Sequence, residues 1–199
     1  MKRFAAAILV AMAEPALAHH AMDGQMPVTW GQGFVSGLAH PVLGLDHFAA
    51  LIAVGSLAAL ARTGMWPILA YVALMIAGAA LHAAGVTIPA AEPGVALSLL
   101  LLGAVLAGHR LRFATILLVL FGATGLVHGY ALGESIVGAE PAPLVAYFAG
   151  LAVVQSAIAV GTMMAARAIM DRYAAWPLRL AGAAVAGFGL ATLTQALSA

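Results

Sequence analysis

The chain is 199 residues long, 64% hydrophobic and 8% charged, where an ordinary soluble domain is about 25% charged. With a net charge of +1 it has too few charged side chains to cover a water-facing exterior and no basic cluster for DNA or RNA, which excludes a soluble enzyme, a disordered chain and a nucleic-acid partner. Cysteine is absent, so thiolate catalysis, disulfides and Cys-type zinc sites are excluded too, leaving His, carboxylate, Met and backbone as ligands.

The chain opens as an export signal. Lys2 and Arg3 precede an apolar run from Phe4 to Met12, Glu14 and Pro15 interrupt it, and Ala16-Leu17-Ala18 supplies the small-x-small pattern read by signal peptidase. The run is well short of the ~20 apolar residues of a span, so residues 1–18 are expected to be a signal peptide cleaved after Ala18. Residues 19–33 then form a periplasmic arm. Its His19 and His20, with the freed amino group, either capture a metal ion outside or belong to a solvated tail.

Six apolar stretches follow, near 34–61, 66–88, 94–109, 113–132, 143–169 and 176–197, each bounded by charge, Pro or Gly. Beyond the signal, the basic residues Arg62, Arg110, Arg112, Arg167, Arg172 and Arg179 fall on one side of this arrangement, and Asp23, Glu92, Glu134 and Glu140 fall on the other. The positive-inside rule makes the arginine side cytoplasmic. Both mature termini are therefore expected in the periplasm, with the protein in a bacterial inner membrane. The stretches are continuous and Leu/Ala-rich without the alternation of barrel strands, so the expected fold is an all-α, six-helix transmembrane bundle over 34–199. In the fourth stretch Gly125, Gly129 and Gly133 recur at four-residue spacing beside Gly122, a ridge that lets another helix approach closely.

Titratable groups inside a span are costly and read as functional. The first stretch holds three, in His40-Pro41-Val42-Leu43-Gly44-Leu45-Asp46-His47. On a regular helix His40 and His47 share a face but lie about 10.5 Å apart, too far for one ion. Pro41 has no amide hydrogen for the carbonyl of Gly37, so a kink or unwound turn is expected there, eased by Gly37 and Gly44. Two imidazoles and a carboxylate beside a freed carbonyl suit nickel, cobalt, zinc or copper(II) better than magnesium or calcium. The alternative is a structural Asp46–His47 pair between helices. His82, His128, Glu92 and Glu134 lie at or near the outer ends of their stretches and line a path from the periplasm toward mid-membrane. No comparable series continues to the cytoplasmic face, where His109 reads as interfacial. Gln155 is expected to donate a hydrogen bond between helices, and Met75, Met163 and Met164 to fill packing gaps.

The run from His40 to His47 resembles the HPxxGxDH signature of the HupE/UreJ family of hydrogenase and urease accessory membrane proteins. The resemblance continues through Pro89-Ala90-Ala91-Glu92-Pro93-Gly94-Val95-Ala96-Leu97-Ser98 and His128-Gly129-Tyr130-Ala131. It implies a secondary transporter that carries nickel, or cobalt, inward for metalloenzyme maturation, with nickel-enzyme maturation proteins as partners and Ni2+ as cargo. It also implies that His40, Asp46 and His47 are the main metal-handling group, with Glu92 and His128 as further ligands. One stretch departs: Leu132 stands where the family has a second His, the acid comes one position early as Glu134, and a fifth-span His is missing, a loss for which His82 compensates in this reading. The alternatives are a non-transporting metal-binding accessory or sensor protein, and a bis-His haem protein with His47 opposite His128. No Walker-type loop is present, so an ion gradient, the membrane potential or a partner drives flux, and the chain is not expected to be an enzyme. Because bound metal needs neutral imidazole, uptake is expected to weaken as pH falls through ~6.5.

Overall fold

The computed structural model describes residues 25–108 and 114–198. The expected signal peptide, His19 and His20, and His109, Arg110 and Arg112 lie outside the described residues. Leu/Ala-rich runs of this length become helices because hydrocarbon offers no partner to a backbone amide outside the segment itself. Among the described residues there are seven α-helices and no strand.

The first is α1, Trp30–Leu43, followed by α2, Leu45–Leu60. Thr29 caps α1 in a capping box with Gln32, whose side chain accepts from the Thr29 amide while the Gln32 amide donates to the Thr29 hydroxyl. This cap starts the helix at Trp30, ahead of the expected position 34. The two helices meet at a bend of 76°. The bend corrects the expectation of a kink at Pro41: the proline stays inside α1, and the chain departs from helical geometry at Gly44, with φ −77° and ψ 101°. Pro41 weakens the last turn by leaving the Gly37 carbonyl without its amide partner. The turn then gives way at Gly44, which after proline has the weakest helical preference. Gly44 still donates to the His40 carbonyl, and its own carbonyl accepts from Phe48, so the bend leaves these backbone groups satisfied.

The remaining helices are α3, Trp66–Ala83; α4, Ala91–Gly108; α5, Ala114–Gly133, running into a short 3-10 turn at Glu134–Ile136; α6, Pro141–Tyr173; and α7, Trp176–Ser198. Five are long and apolar enough to cross a membrane, or six spans if α1 and α2 count as one bent crossing. Glycine contacts fix how they pair. Gly33 faces Pro143 and Gly37 faces Tyr147, so α1 runs alongside α6 in the same direction, and α2 meets α6 further along, where Gly55 faces Ala159. Gly125 faces Tyr71, Gly129 faces Met75 and Gly133 faces Ala79, so α3 and α5 are also parallel. Gly103 faces Ala186 and Gly182 faces Ala107, so α4 and α7 are antiparallel. Six alternating crossings, with α1 and α2 sharing the first, would give these directions.

The glycine ridge of α5 acts as its spacing suggests: a Cβ on Gly129 would collide with the Met75 carbonyl. Met75 and Met163 pack in the core, whereas Met164 is 64% exposed and so is not the packing residue expected from the sequence. Its neighbour takes the inward face, and Met164 falls on the outer one.

Candidate metal centre

The break at Gly44 brings together what a straight helix separates. The rings of His40 and His47 lie 5.9 Å apart between centroids, and both side chains are buried. His47 also meets His128 of α5, whose ring centroid is 5.3 Å away and whose Nδ1 is 3.1 Å from His47 Nδ1.

Two hydroxyl groups meet the rings from behind. Ser98 Oγ bonds the Val95 carbonyl one turn back on α4 at 2.7 Å and lies 2.6 Å from His128 Nε2. When it donates to Val95 it accepts from His128 Nε2–H, which makes His128 Nδ1 the acceptor for His47 Nδ1–H. At the other end, Tyr147 of α6 donates its hydroxyl hydrogen to the Leu132 carbonyl at 2.8 Å and accepts from His40 Nδ1–H at 3.1 Å. Ser135 Oγ sits 3.1 Å from the same nitrogen and also bonds Leu132. Histidines that bind metals are held in this way, with the second ring nitrogen donating to a fixed acceptor.

Asp46 completes the group. Its Oδ1 accepts the backbone amide of His47 at 2.9 Å, one of the donors that the start of a helix leaves without a helical partner. Its Oδ2 lies 3.9 Å from His47 Nε2. That is too long for a hydrogen bond. It falls within the about 3.0–4.2 Å that separates two ligands each about 2.1 Å from one ion. Among the described residues no three His, Asp or Glu side chains are close enough together to hold a metal ion, so a third ligand has to come from water or from rotation of His40. The donors are of the right chemistry, and the pair Asp46–His47 has the right spacing.

The other expected ligands are placed differently. His82 Nδ1 donates to the Tyr130 carbonyl at 2.8 Å, and its ring stacks on Tyr130 at 4.1 Å. Tyr130 in turn donates to the Val86 carbonyl and accepts from the Ile88 amide. His82 thus ties the end of α3 to α5 and makes these contacts rather than one with the histidine cluster. Glu92 is exposed in the first turn of α4, and Glu134 is exposed in the 3-10 turn beside Ser135. The direct His47–His128 contact leaves no room for a porphyrin between those rings, which removes the haem arrangement. Gln155 departs from its expected role: it is fully buried, yet neither amide atom bonds any described residue.

Sequence reasoning missed Ser98, Ser135 and Tyr147. Isolated hydroxyls in apolar helices read as packing, and only the requirement that each buried imidazole satisfy both nitrogens would have called for them.

The HupE / UreJ protein family profile matches residues 7–192. The chain is 29% identical over 184 residues to protein HupE of Rhizobium leguminosarum bv. viciae, covering 89% of this chain and 94% of that one. No solved structure matches. The match runs through the bent segment and on through the helices that support its histidines, and by that extent the chain belongs to the HupE/UreJ family.

Proposed function

We propose that the protein is a permease for a divalent transition-metal ion, nickel before cobalt, serving the maturation of a hydrogenase or urease. It lies in a bacterial inner membrane with its mature ends periplasmic and its signal peptide removed. A hydrated ion enters from the end where Glu92 and Glu134 are exposed, exchanges water for His47 Nε2 and the Asp46 carboxylate, and gains His40 Nε2 as that ring swings inward. His128, Ser98, Tyr147 and Ser135 hold the two rings so that a lone pair, not a proton, meets the ion. The observation that carries this reading is the 3.9 Å gap between His47 Nε2 and Asp46 Oδ2, with His128 and Ser98 packed behind the His47 ring. Imidazole with carboxylate favours nickel and cobalt over the hard cations.

The test is uptake of radiolabelled nickel by vesicles holding the full chain. Asp46→Asn and His47→Ala should each abolish accumulation, and accumulation unchanged in both would refute the permease. One observation favours a second reading, an accessory protein that holds nickel without moving it: no three ligating side chains converge among the described residues, and Leu132 stands at a family histidine position. Binding without flux would select that reading.

A further inference from the structure

Two core side chains have no role in the cluster just described and, among the described residues, no hydrogen-bond partner for their polar atoms. Gln155 of α6 and Tyr71 of α3 are both 0% exposed, and Gln155 Oε1, Gln155 Nε2 and the Tyr71 hydroxyl bond no described residue. An amide and a phenol are costly to keep unbonded inside a membrane, and apolar side chains of like shape would pack there without that cost.

Helix register places both on one side of the histidine cluster. On α5, Gly129 faces Met75 and Gly125 faces Tyr71. Tyr71 is therefore one turn past the level of His128, on the side away from Ser135 and His40. On α1, Gly33 faces Pro143 and Gly37 faces Tyr147, a register that puts His40 level with Gly150 and Gln155 about 7.5 Å further along α6. Beyond both side chains lies the bundle end that carries Arg62, Arg167 and Arg179.

We infer that Gln155 and Tyr71 form a hydrated oxygen station directly inward of the histidine cluster, where a divalent cation leaving the imidazoles regains oxygen ligands. The inference rests on the permease reading and deepens it. An amide carbonyl and a phenol are neutral oxygen donors that hold nickel more weakly than imidazole does. A conducting path needs such a site, favourable enough to enter and weak enough to leave. It supplies the inward step that the histidines alone do not.

Two measurements on the full chain decide it. The first is radiolytic hydroxyl-radical labelling, which marks buried side chains beside bound water. Tyr71 should be labelled well above Phe121, the ring it contacts, and nickel should suppress that labelling. Labelling of Tyr71 no greater than that of Phe121 overturns the inference. The second compares nickel uptake and equilibrium nickel binding in vesicles. Gln155→Leu and Tyr71→Phe should each slow uptake about tenfold while leaving affinity within about twofold and thermal stability undiminished. Uptake at the wild-type rate in both variants overturns it as well. Wild-type vesicles that accumulate no nickel would instead refute the permease, and the nickel dependence of Tyr71 labelling would still judge the station.

Discussion

Ser98 touches none of the proposed ligands, yet in the proposed arrangement its hydroxyl sets which His47 nitrogen keeps a lone pair toward Asp46. In Ser98→Ala, His128 Nε2–H loses its acceptor at 2.6 Å in a site with no solvent exposure. An unsatisfied buried donor costs about 1–3 kcal/mol. The imidazole avoids that cost by moving its proton to Nδ1, where it then faces His47 Nδ1–H at 3.1 Å. Two donors cannot share that contact, so His47 shifts its own proton to Nε2 and the lone pair aimed at Asp46 is lost. Either course weakens nickel binding by about 1.4 kcal/mol or more, roughly tenfold to a hundredfold, the range found when groups behind a metal ligand are removed. Ser98→Thr keeps the hydroxyl and should restore most of the affinity. Nickel titration of the purified full chain measures the loss, and nitrogen-labelled histidine spectra report the tautomer of His47 directly. Ser98→Ala binding nickel within about twofold of wild type, or Ser98→Thr failing equally with an unchanged tautomer, would refute the chain of reasoning.

Other perturbations separate site from scaffold. A Cβ on Gly44 would meet His47 Cδ2 at 2.8 Å and Asp46 Oδ1 at 3.2 Å, so Gly44→Ala should leave the bundle folded but displace both ligands, seen as lost uptake with a preserved helical signal in circular dichroism. Gly129→Val places side-chain carbon against the Met75 carbonyl, and the overpacking should lower stability by about 1–3 kcal/mol or more, read as a lower unfolding midpoint in detergent. His82→Ala removes the bond to the Tyr130 carbonyl and should cost about 1 kcal/mol of stability while nickel affinity stays at the wild-type value; a His82 that served as a ligand would show the opposite pattern.

Much of this fold is legible in the sequence because hydrocarbon permits so few alternatives. The stretches expected near 143–169 and 176–197 appear as Pro141–Tyr173 and Trp176–Ser198, and the Gly125, Gly129 and Gly133 spacing marks a real helix contact. The bend is legible as an event but not as a place. Pro41 announces the missing hydrogen bond, while the residue that yields is Gly44, where a Cβ would crowd the His47 ring and the Asp46 carboxylate. Depth is legible too, and it rightly groups His40, His47 and His128. Depth does not give helix face, and His82 shows the consequence, turned toward Tyr130 at a similar level. The supporting hydroxyls of Ser98, Ser135 and Tyr147 stay hidden because their role exists only once three separate helices converge. Gln155 is hidden for the opposite reason: a polar side chain in a span is expected to find a partner, and this one finds none among the described residues.

X-ray absorption at the nickel edge, on the full chain loaded with one equivalent of metal, tests the proposed ligands most directly. Imidazole scattering from two rings with one carboxylate oxygen, reduced to a single ring in His47→Ala and retained in full in His82→Ala, is the expected result. A shell of oxygen atoms alone, or a spectrum that His47→Ala leaves unaltered, would contradict the assignment of His40, Asp46 and His47.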